Sequence, residues 1–573
     1  MPTQSEASAP EESPRSRVGD WLLPWLVMVL GLGLTLGPMW TSRLAQVPGD
    51  SLDARLVHFS LEHAHRFVLQ QPAHESFWDP PLFYPARNVA AYTDTLLGFV
   101  PLYTPWRLLG ATPTTAFQLW VATVLALTFW AGVWTLRRLF DVSLPAACAG
   151  AYVFAFAGPR AASVVHPQLL PWFLWALSLL ALGLLLSETS RHQLASRGRK
   201  TWIGVLTASL VAQAYGAFYP FFFFVFVVGL GCLLALMFFR GRHALRRLVA
   251  SEGPALAFAA SAAALLLAPL AQRYLLTVEM VGSRELAQSL ELFPRPLSWL
   301  TPLSSSHLFG RVWHLPLVRE APELFGAPHL AQGLGLLTPG LALVGLWAHR
   351  QRQVVRLLVA LSVLLFVLTV RWPGDFTLWQ WVHAVVPGAS AIRATSRFGL
   401  CLLVPAALGV ALLFQRPVIR RRPVLGLLLF AALAVEQRVA MPSYYQAVYT
   451  PRVEALAAAI GPECEAFYVI LDGHRRPLAA FEENAMWAAL VSGTPTLNGR
   501  YGNEPPGWQL ALRHHPPGVR GRHKTNDAAL RRWLDHYCID RSTVCRLLVD
   551  HTGLNVVPAP WGDLEEDQAS CAP

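Results

Sequence analysis

Eleven windows of about 20 mostly apolar residues recur along this 573-residue chain, and no other feature limits its fold so severely. About 20 apolar residues in a helix cross the roughly 30 Å hydrocarbon layer of a bilayer, where backbone groups must be satisfied internally. The windows, some with modest polar interruptions, are 21–40, 115–136, 142–158, 168–187, 202–218, 219–239, 254–276, 332–348, 353–371, 398–415 and 423–440. Only 14% of the residues are charged, against roughly 25% in an average soluble domain. Disordered, collagen-like and small disulfide-scaffold classes are excluded together. The expected fold is an α-helical polytopic membrane protein of about 11 transmembrane helices.

The first window follows a polar, Pro/Ser/Glu-rich tail and is too long for a cleaved signal's apolar core, so it reads as a retained signal anchor. Trp21, Trp40, Trp172, Trp202 and Trp347 sit at window ends, where headgroups favour aromatic side chains. Orientation follows from Lys and Arg in the short connections. Every second connection is basic: Arg137 and Arg138; Arg191, Arg197, Arg199 and Lys200; Arg240, Arg242, Arg246 and Arg247; Arg350, Arg352 and Arg356; and Arg416, Arg420, Arg421 and Arg422. These and the tail 1–20 are expected in the cytoplasm. The outer side then holds 41–114, 277–331, 159–167, 372–397 and everything after 441. The net charge of +11 is therefore mainly a repeated topology signal, and no nucleic-acid partner is expected.

After the membrane unit 21–440 the chain changes character. Residues 441–573 read as a small extracytoplasmic α/β domain: strands over Ala466–Leu471 and Val544–Val549, helices over Ala480–Leu490 and Ala528–Tyr537. Cys464, Cys538, Cys545 and Cys571 fall in it. An oxidising location permits a disulfide, with Cys538–Cys545 the nearest pair, and four free thiols are the alternative. No CxxC pair occurs, so zinc is not expected.

The first outer segment is richest in polar residues. Gly49-Asp50-Ser51-Leu52-Asp53 opens a helical stretch with Leu52, Leu56 and Phe59 on one face and His58, Glu62 and His65 on the other. Such a helix is expected in the interface plane, apolar side down, with its polar face solvated. Asp50 or Asp53 is a candidate catalytic carboxylate at the mouth of a membrane cavity; the alternative is a helix cap, Asp50 as N-cap with Asp53 three residues on. Further along, Phe77 to Pro85 and Tyr92-Thr93-Asp94 suit either sugar stacking or interfacial anchoring. Arg393 and Arg397, just before the tenth window, are arginines on the outer side of a span, against the usual bias. An anion such as phosphate fits a guanidinium's planar fork, and the alternative is an ion pair with Glu320, Glu323 or Glu436. His166 precedes Pro167 in a short outer loop and reads as an interface residue. No nucleotide-binding loop, zinc-protease or serine-hydrolase motif appears.

A retained first helix, an acidic pair in the first outer loop, many helices and a C-terminal outer domain resemble the GT-C class of membrane glycosyltransferases, and within it a bacterial group of predicted sugar-transferring membrane proteins. Several phrases carry the likeness: Gly49 to Asp53; Phe83-Tyr84-Pro85 with Tyr92 to Asp94; Gly282-Ser283-Arg284 followed by Glu320; Ile392 to Phe398; Glu436; and Leu497 to Pro506. The resemblance implies a polyprenyl-phosphate-linked sugar donor, a glycan, lipid or protein acceptor in the cell envelope, and the outer face of a bacterial inner membrane. It makes Asp50, with Asp53, the catalytic carboxylates, and Arg284, Arg393 and Arg397 the hold on the donor phosphate. Tyr84, Tyr92, Asp94, His166 and Glu320 would line the substrate. A divalent metal is compatible with this set but nothing indicates one, and no cofactor is expected.

Two other readings compete. A flippase for a lipid-linked glycan would want ionisable residues near mid-membrane and paired broken helices, whereas the windows here are nearly free of charge. A non-catalytic envelope assembly protein would use the outer domain as a binding module.

Overall fold

In the computed structural model, helices occupy each apolar window. Residues 15–187, 196–237, 239–471, 478–511, 522–550, 552–559 and 561 are described; most of the N-terminal tail, Arg191 and Cys571 lie outside them. The helices used below are α1 (Arg15–Thr35), α2 (Asp53–Val68), α3 (Val100–Leu108), α4 (Pro113–Phe140), α5 (Leu144–Phe156), α6 (Phe173–Leu186), α7 (Ser196–Gly216), α8 (Phe218–Leu236), α9 (Phe239–Val281), α10 (Leu337–Ala348), α11 (Gln353–Thr369), α12 (Trp379–Val385), α13 (Leu403–Phe414) and α14 (Pro423–Glu436). By length and apolarity, six segments among the described residues can cross a membrane, or seven if α11 and α12, bent by 87°, form one broken span. Leu22–Thr35, α10 and α14 are apolar but shorter. The chain is thus a multi-pass, mainly helical membrane protein, although helix length alone gives fewer spans than eleven windows suggest.

Small residues bring the central helices together. A Cβ on Gly150 of α5 would stand 2.5 Å from the Ala407 carbonyl oxygen of α13, and one on Gly345 of α10 would collide with the Gly409 backbone. Close backbone approach of this kind holds helices together where lipid removes any hydrophobic drive between them. The basic connections gather at one end of the bundle, where Phe140, Ser187, Gly241 and Gln353 help line one apolar cavity of about 490 Å³. None of Asp50, Asp53, His166, Arg393 and Arg397 lines that cavity.

At the other end, strand β1 (Gln46–Pro48) pairs antiparallel with β2 (Ser443–Tyr445), placing Pro48 opposite Ser443. The Gly49 N–H then donates to the Pro442 carbonyl at 2.8 Å. Gly49 has φ +103°, and a Cβ there would meet Ala54 and lie 2.6 Å from the Val164 carbonyl oxygen. Only glycine lets the chain turn here, against the loop that carries His166.

Helix α2 departs from its expected place in the interface plane: from Ala54 to His65 only Leu56 escapes burial. Its polar side is met by protein rather than water. Glu62 accepts from the Tyr103 hydroxyl (2.7 Å), Arg107 Nε (3.0 Å) and Arg66 Nε (3.0 Å), while His58 stacks on Phe117. His63 Nε2 donates to the Phe77 carbonyl at 2.9 Å, so its Nδ1 is left to accept from His74 Nδ1 at 2.8 Å. Periodicity reveals the two faces of a helix but not what covers them.

Beyond β2 come α15 (Gln446–Ala458), β3 (Ala466–Leu471), α16 (Leu478–Ser492), α17 (Arg522–His536), β4 (Val544–Val549) and β5 (Val556–Pro558). Strands β3 and β4 are parallel, with β5 antiparallel on the far edge of β4. One core is shared with the first long connection: Phe59, Phe83 and Tyr92 pack with Tyr468, Leu497, Trp508 and Trp533. The disulfide joins Cys464 to Cys545, 81 residues apart, and not the nearest pair. Strand register decides it, since Cys545 stands opposite Phe467, three residues beyond Cys464. Cys538 is disulfide-bonded as well, so the four-thiol alternative fails too.

Burial lowers the pKa of His58 to about 3 and that of His63 to about 4, against an ordinary 6.5. Both are neutral when folded, while the unfolded chain binds their protons below pH 6.5, so stability falls as pH drops through 6.5 toward 4. The expected outcome is earlier thermal unfolding at pH 5 than at pH 7.5, by up to about 2 kcal/mol per histidine. His63→Asn with His74→Asn should flatten that slope in a melting series on the detergent-solubilised chain; an unchanged slope would contradict this account.

Candidate functional site

The site grows from the turn at Gly49. Asp50 Oδ1 accepts the N–H groups of Ala54 (2.9 Å) and Leu52 (3.3 Å), satisfying backbone donors at the start of α2. Its Oδ2 takes no hydrogen bond among the described residues. Burial pushes the Asp50 carboxyl above its ordinary pKa, and the two N–H groups only partly offset this. The helix's N-cap is Leu52 and its first residue Asp53, so Asp50 is not the N-cap expected; it ties the backbone leading into α2 with one oxygen and leaves the other open. Asp53 does not return to close the capping box. Its Oδ1 meets Arg500 Nη2 at 2.7 Å, and its Oδ2 lies 3.4 Å from His166 Nδ1.

Arg500 comes from the loop after α16 and also bonds Glu483 Oε1 at 2.6 Å. Burial alone would lower its pKa, but Glu483 and Asp53 hold it above the ordinary value. Behind Glu483, Arg55 Nη1 stands 3.7 Å away, its Nη2 donates to Asn484 at 3.0 Å, and its guanidinium lies over the Tyr449 ring at 4.4 Å. The chain Asp53–Arg500–Glu483–Arg55 joins the first connection to the C-terminal region.

His166 faces the opposite charge as well. Burial and the charge of Arg397 lower its pKa to about 3, with Asp53 pulling the other way and Arg393 adding to the depression. Asp53 and His166 are thus in contact, and the charges of Arg397 and Arg393 reach the same imidazole. Arg284 belongs here too: burial, then the charge of Arg393, lower its pKa. Its Nη2 donates to Asn503 Oδ1 at 2.8 Å and to the Gly502 carbonyl. Among the described residues, Arg284, Arg393 and Arg397 have no carboxylate within salt-bridge distance. Asp94 approaches Arg397 but is spoken for: its Oδ1 accepts the Phe218 N–H at 2.8 Å at the start of α8. Burial raises its pKa, and that N–H and Arg397 oppose the rise.

The remaining expected residues lie apart. Tyr84 and Tyr92 sit in the core shared with the C-terminal region, where Trp533 Nε1 donates to the Tyr84 carbonyl at 2.9 Å. Glu320 is exposed and makes no recorded contact with the cluster. Glu436, weighed as an ion-pair partner for the arginines, caps α10 instead, accepting at 2.7 Å from the N–H groups of Leu336, Leu337 and Thr338 and from the Thr338 hydroxyl. The metal-like grouping Glu463, Cys464 and Cys545 contains the disulfide, so its sulfurs are not free thiolates.

Sequence reasoning missed Arg500, Glu483, Arg55 and Tyr219 as site residues. Arg500 lies within Leu497–Pro506 and Tyr219 in the Phe-rich start of α8, but nothing in their spacing joins either to residue 53 or 397.

No protein-family profile and no curated protein matches the sequence. Solved structures do match by fold. The archaeal oligosaccharyltransferase AglB from Archaeoglobus fulgidus, in complex with an inhibitory peptide and a dolichol-phosphate, aligns with TM-score 0.50 and 11% identity over 94% of this chain and 70% of that one. The arabinofuranosyltransferase AftD from Mycobacteria aligns with TM-score 0.50 and 14% identity over 93% of this chain but only 35% of its own length. At such identities the likeness is one of fold, and the fold is GT-C-like.

Removing one member of a buried ion pair strands the other, at a cost of about 3–5 kcal/mol. Arg500→Gln should therefore destabilise the chain by roughly that amount, less what Arg55 still offsets. Arg500→Gln with Glu483→Gln should recover more than half of the loss in a thermal-shift measurement. A double variant as unstable as the single would show that the pair is not coupled.

Proposed function

We propose that this chain is a membrane glycosyltransferase that moves a sugar from a polyprenyl-phosphate-linked donor to a cell-envelope acceptor at the outer face of a bacterial inner membrane. In this reading about eleven helices, some short, form the membrane unit over 21–440, the N-terminus is cytoplasmic, and residues 441–573 are an extracytoplasmic unit that roofs the site. One observation supports the proposal: Asp53 lies 3.4 Å from His166, whose ring in turn feels the charges of Arg397 and Arg393, residues far apart in sequence. The GT-C-like fold supports it.

The chemistry assigned to these residues is simple. The acceptor hydroxyl attacks the anomeric carbon, the bond from that carbon to the phosphate oxygen breaks, and its electron pair leaves with the lipid phosphate. Asp50 takes the hydroxyl proton on its open oxygen, and burial, by raising its pKa, strengthens it as a base. Arg393 and Arg397, with Arg284, stabilise the charge on the departing phosphate. Asp53, held by Arg500 and His166, orients the floor of the site. A groove of about 880 Å³ between α7 and α9, lined by Leu97, Pro101, Thr207, Tyr215 and Phe258, offers an apolar path for the lipid tail.

Asp50→Asn and Arg397→Ala should each lower transfer by about 10²–10⁴-fold, the usual span for a general base or a preorganised charge. The readout is the surface glycan of cells carrying the variant as their only copy, with membrane insertion checked by blotting. Normal glycan in both, with the protein made and inserted, would refute the transferase reading.

A further inference from the structure

The start of α8 holds a hydroxyl whose bonding is incomplete. Tyr219 Oη accepts two backbone donors, the N–H of Arg393 at 2.8 Å and that of Ala394 at 3.2 Å. A phenol oxygen has little accepting capacity beyond two such bonds, and it has one proton to give. No acceptor for that proton occurs among the described residues. Tyr219 is half-buried, so the free direction of its O–H is limited to the space the arginines border.

Two arginines contact this residue, and a third lies within electrostatic reach. The Arg397 guanidinium lies over the Tyr219 ring, 4.8 Å from its centroid. Arg393 is fixed to the hydroxyl through its own backbone. The Arg284 guanidinium is close enough to be acted on by both Arg393 and Tyr219. The charge of Arg393 already disfavours the charged form of Arg284, and an anion between them would relieve that repulsion. The ring and hydroxyl together form a bracket: the oxygen pins the 393–394 backbone, the π-face orients Arg397, and the remaining proton points where negative charge is wanted.

We propose that Tyr219 is an anion-binding residue of this site, donating its phenolic hydrogen to a phosphate monoester oxygen held by Arg284, Arg393 and Arg397. The inference rests on the phosphate reading given above and adds a neutral donor to an otherwise cationic clamp. A neutral donor binds phosphate without adding to the repulsion among the arginines, and it aims one oxygen where a guanidinium alone would let it slide.

The test uses the full chain in lipid nanodiscs with two probes, a C20 prenyl monophosphate and inorganic phosphate, and a prenyl alcohol of the same length as control. Tyr219→Phe keeps the ring under Arg397 and removes the hydroxyl. It should weaken prenyl monophosphate binding about tenfold, the scale of one hydrogen bond to a charged group, and move the ³¹P resonance of the bound phosphate. Prenyl alcohol binding should be unchanged. Competition by inorganic phosphate would assign the site to the phosphate alone; its failure to compete would show that the lipid is needed as well, and both outcomes keep the donor role. Wild-type affinity and an unmoved ³¹P resonance in Tyr219→Phe, with binding lost in Arg397→Ala, would overturn the role of Tyr219 and leave the clamp standing. Equal loss of the alcohol would overturn it in favour of a purely structural bracket. Prenyl monophosphate that fails to bind the wild-type chain would refute the phosphate reading itself. Should Tyr219→Phe fail to fold, 3-fluorotyrosine at position 219 provides a second measure: its ¹⁹F resonance must move on adding prenyl monophosphate, and a static resonance overturns the proposal.

Discussion

Four ionisable groups, Asp53, Arg500, Glu483 and Arg55, link the first long connection to the region after residue 441, and burial raises the Glu483 pKa to about 8 despite the two arginines beside it. Glu483 and Arg55 are almost wholly buried. Charges so removed from water cost several kcal/mol each unless partners of opposite sign stand beside them. The chain therefore has one low-energy arrangement, with α16 and the 497–506 loop drawn down onto the start of α2. Other contacts follow from that position. Gly502 fits against the Tyr92 carbonyl, where a Cβ would stand 2.7 Å away, and Asn503 reaches Arg284 just past the end of α9.

The rest of the polar inventory at this end shows why three arginines stand out. Glu62 has two arginines and a tyrosine, Glu436 has four donors at the start of α10, and Asp94 is held at the start of α8. Glu62 and Glu436 are matched on both oxygens, whereas Glu483 Oε2 has no hydrogen-bond partner among the described residues. Arg393 and Arg397 are oriented by backbone and by an aromatic ring, with no counter-charge in salt-bridge contact among the described residues. Arg393 is exposed and Arg397 half-buried, which is why the proposed function gives them the anion.

Much of this was legible in the sequence, and the boundary has a physical cause. The apolar windows depend on composition over about 20 residues, and helices fill every one of them; strands at Ala466–Leu471 and Val544–Val549 follow local alternation and turns. Asp50, Asp53, His166, Arg284, Arg393 and Arg397 were legible because charge near a membrane boundary is costly and so conspicuous. What failed depended on tertiary partners. The polar face of α2 looked hydrated because periodicity does not know that Arg107, Tyr103 and Trp487 cover it. Cys464 bonds Cys545 through strand register, which sequence distance does not encode. Arg500 looked like any loop arginine until α16 brought Glu483 beside it.

The break between α7 and α8 brings the lipid and phosphate halves of the proposed donor site together. Tyr215, in the last turn of α7, lines the apolar groove; Tyr219, in the first turn of α8, meets Arg393 and Arg397. Between them the chain turns at Gly216 and Ala217, where a Cβ on residue 216 would run into Phe99 and where Asp94 holds the Phe218 N–H. A lipid phosphate has its charge and its hydrocarbon separated by a single ester bond, so a receptor must change from polar to apolar lining over a few ångströms. A helix break supplies that change at minimal length: one helix ends on the apolar side, the next begins with its amide donors and first-turn side chains on the polar side. Asp94 matters here through position rather than contact with substrate, because the carboxylate that caps α8 sets both the direction in which Tyr219 leaves that helix and the charge that Arg397 approaches.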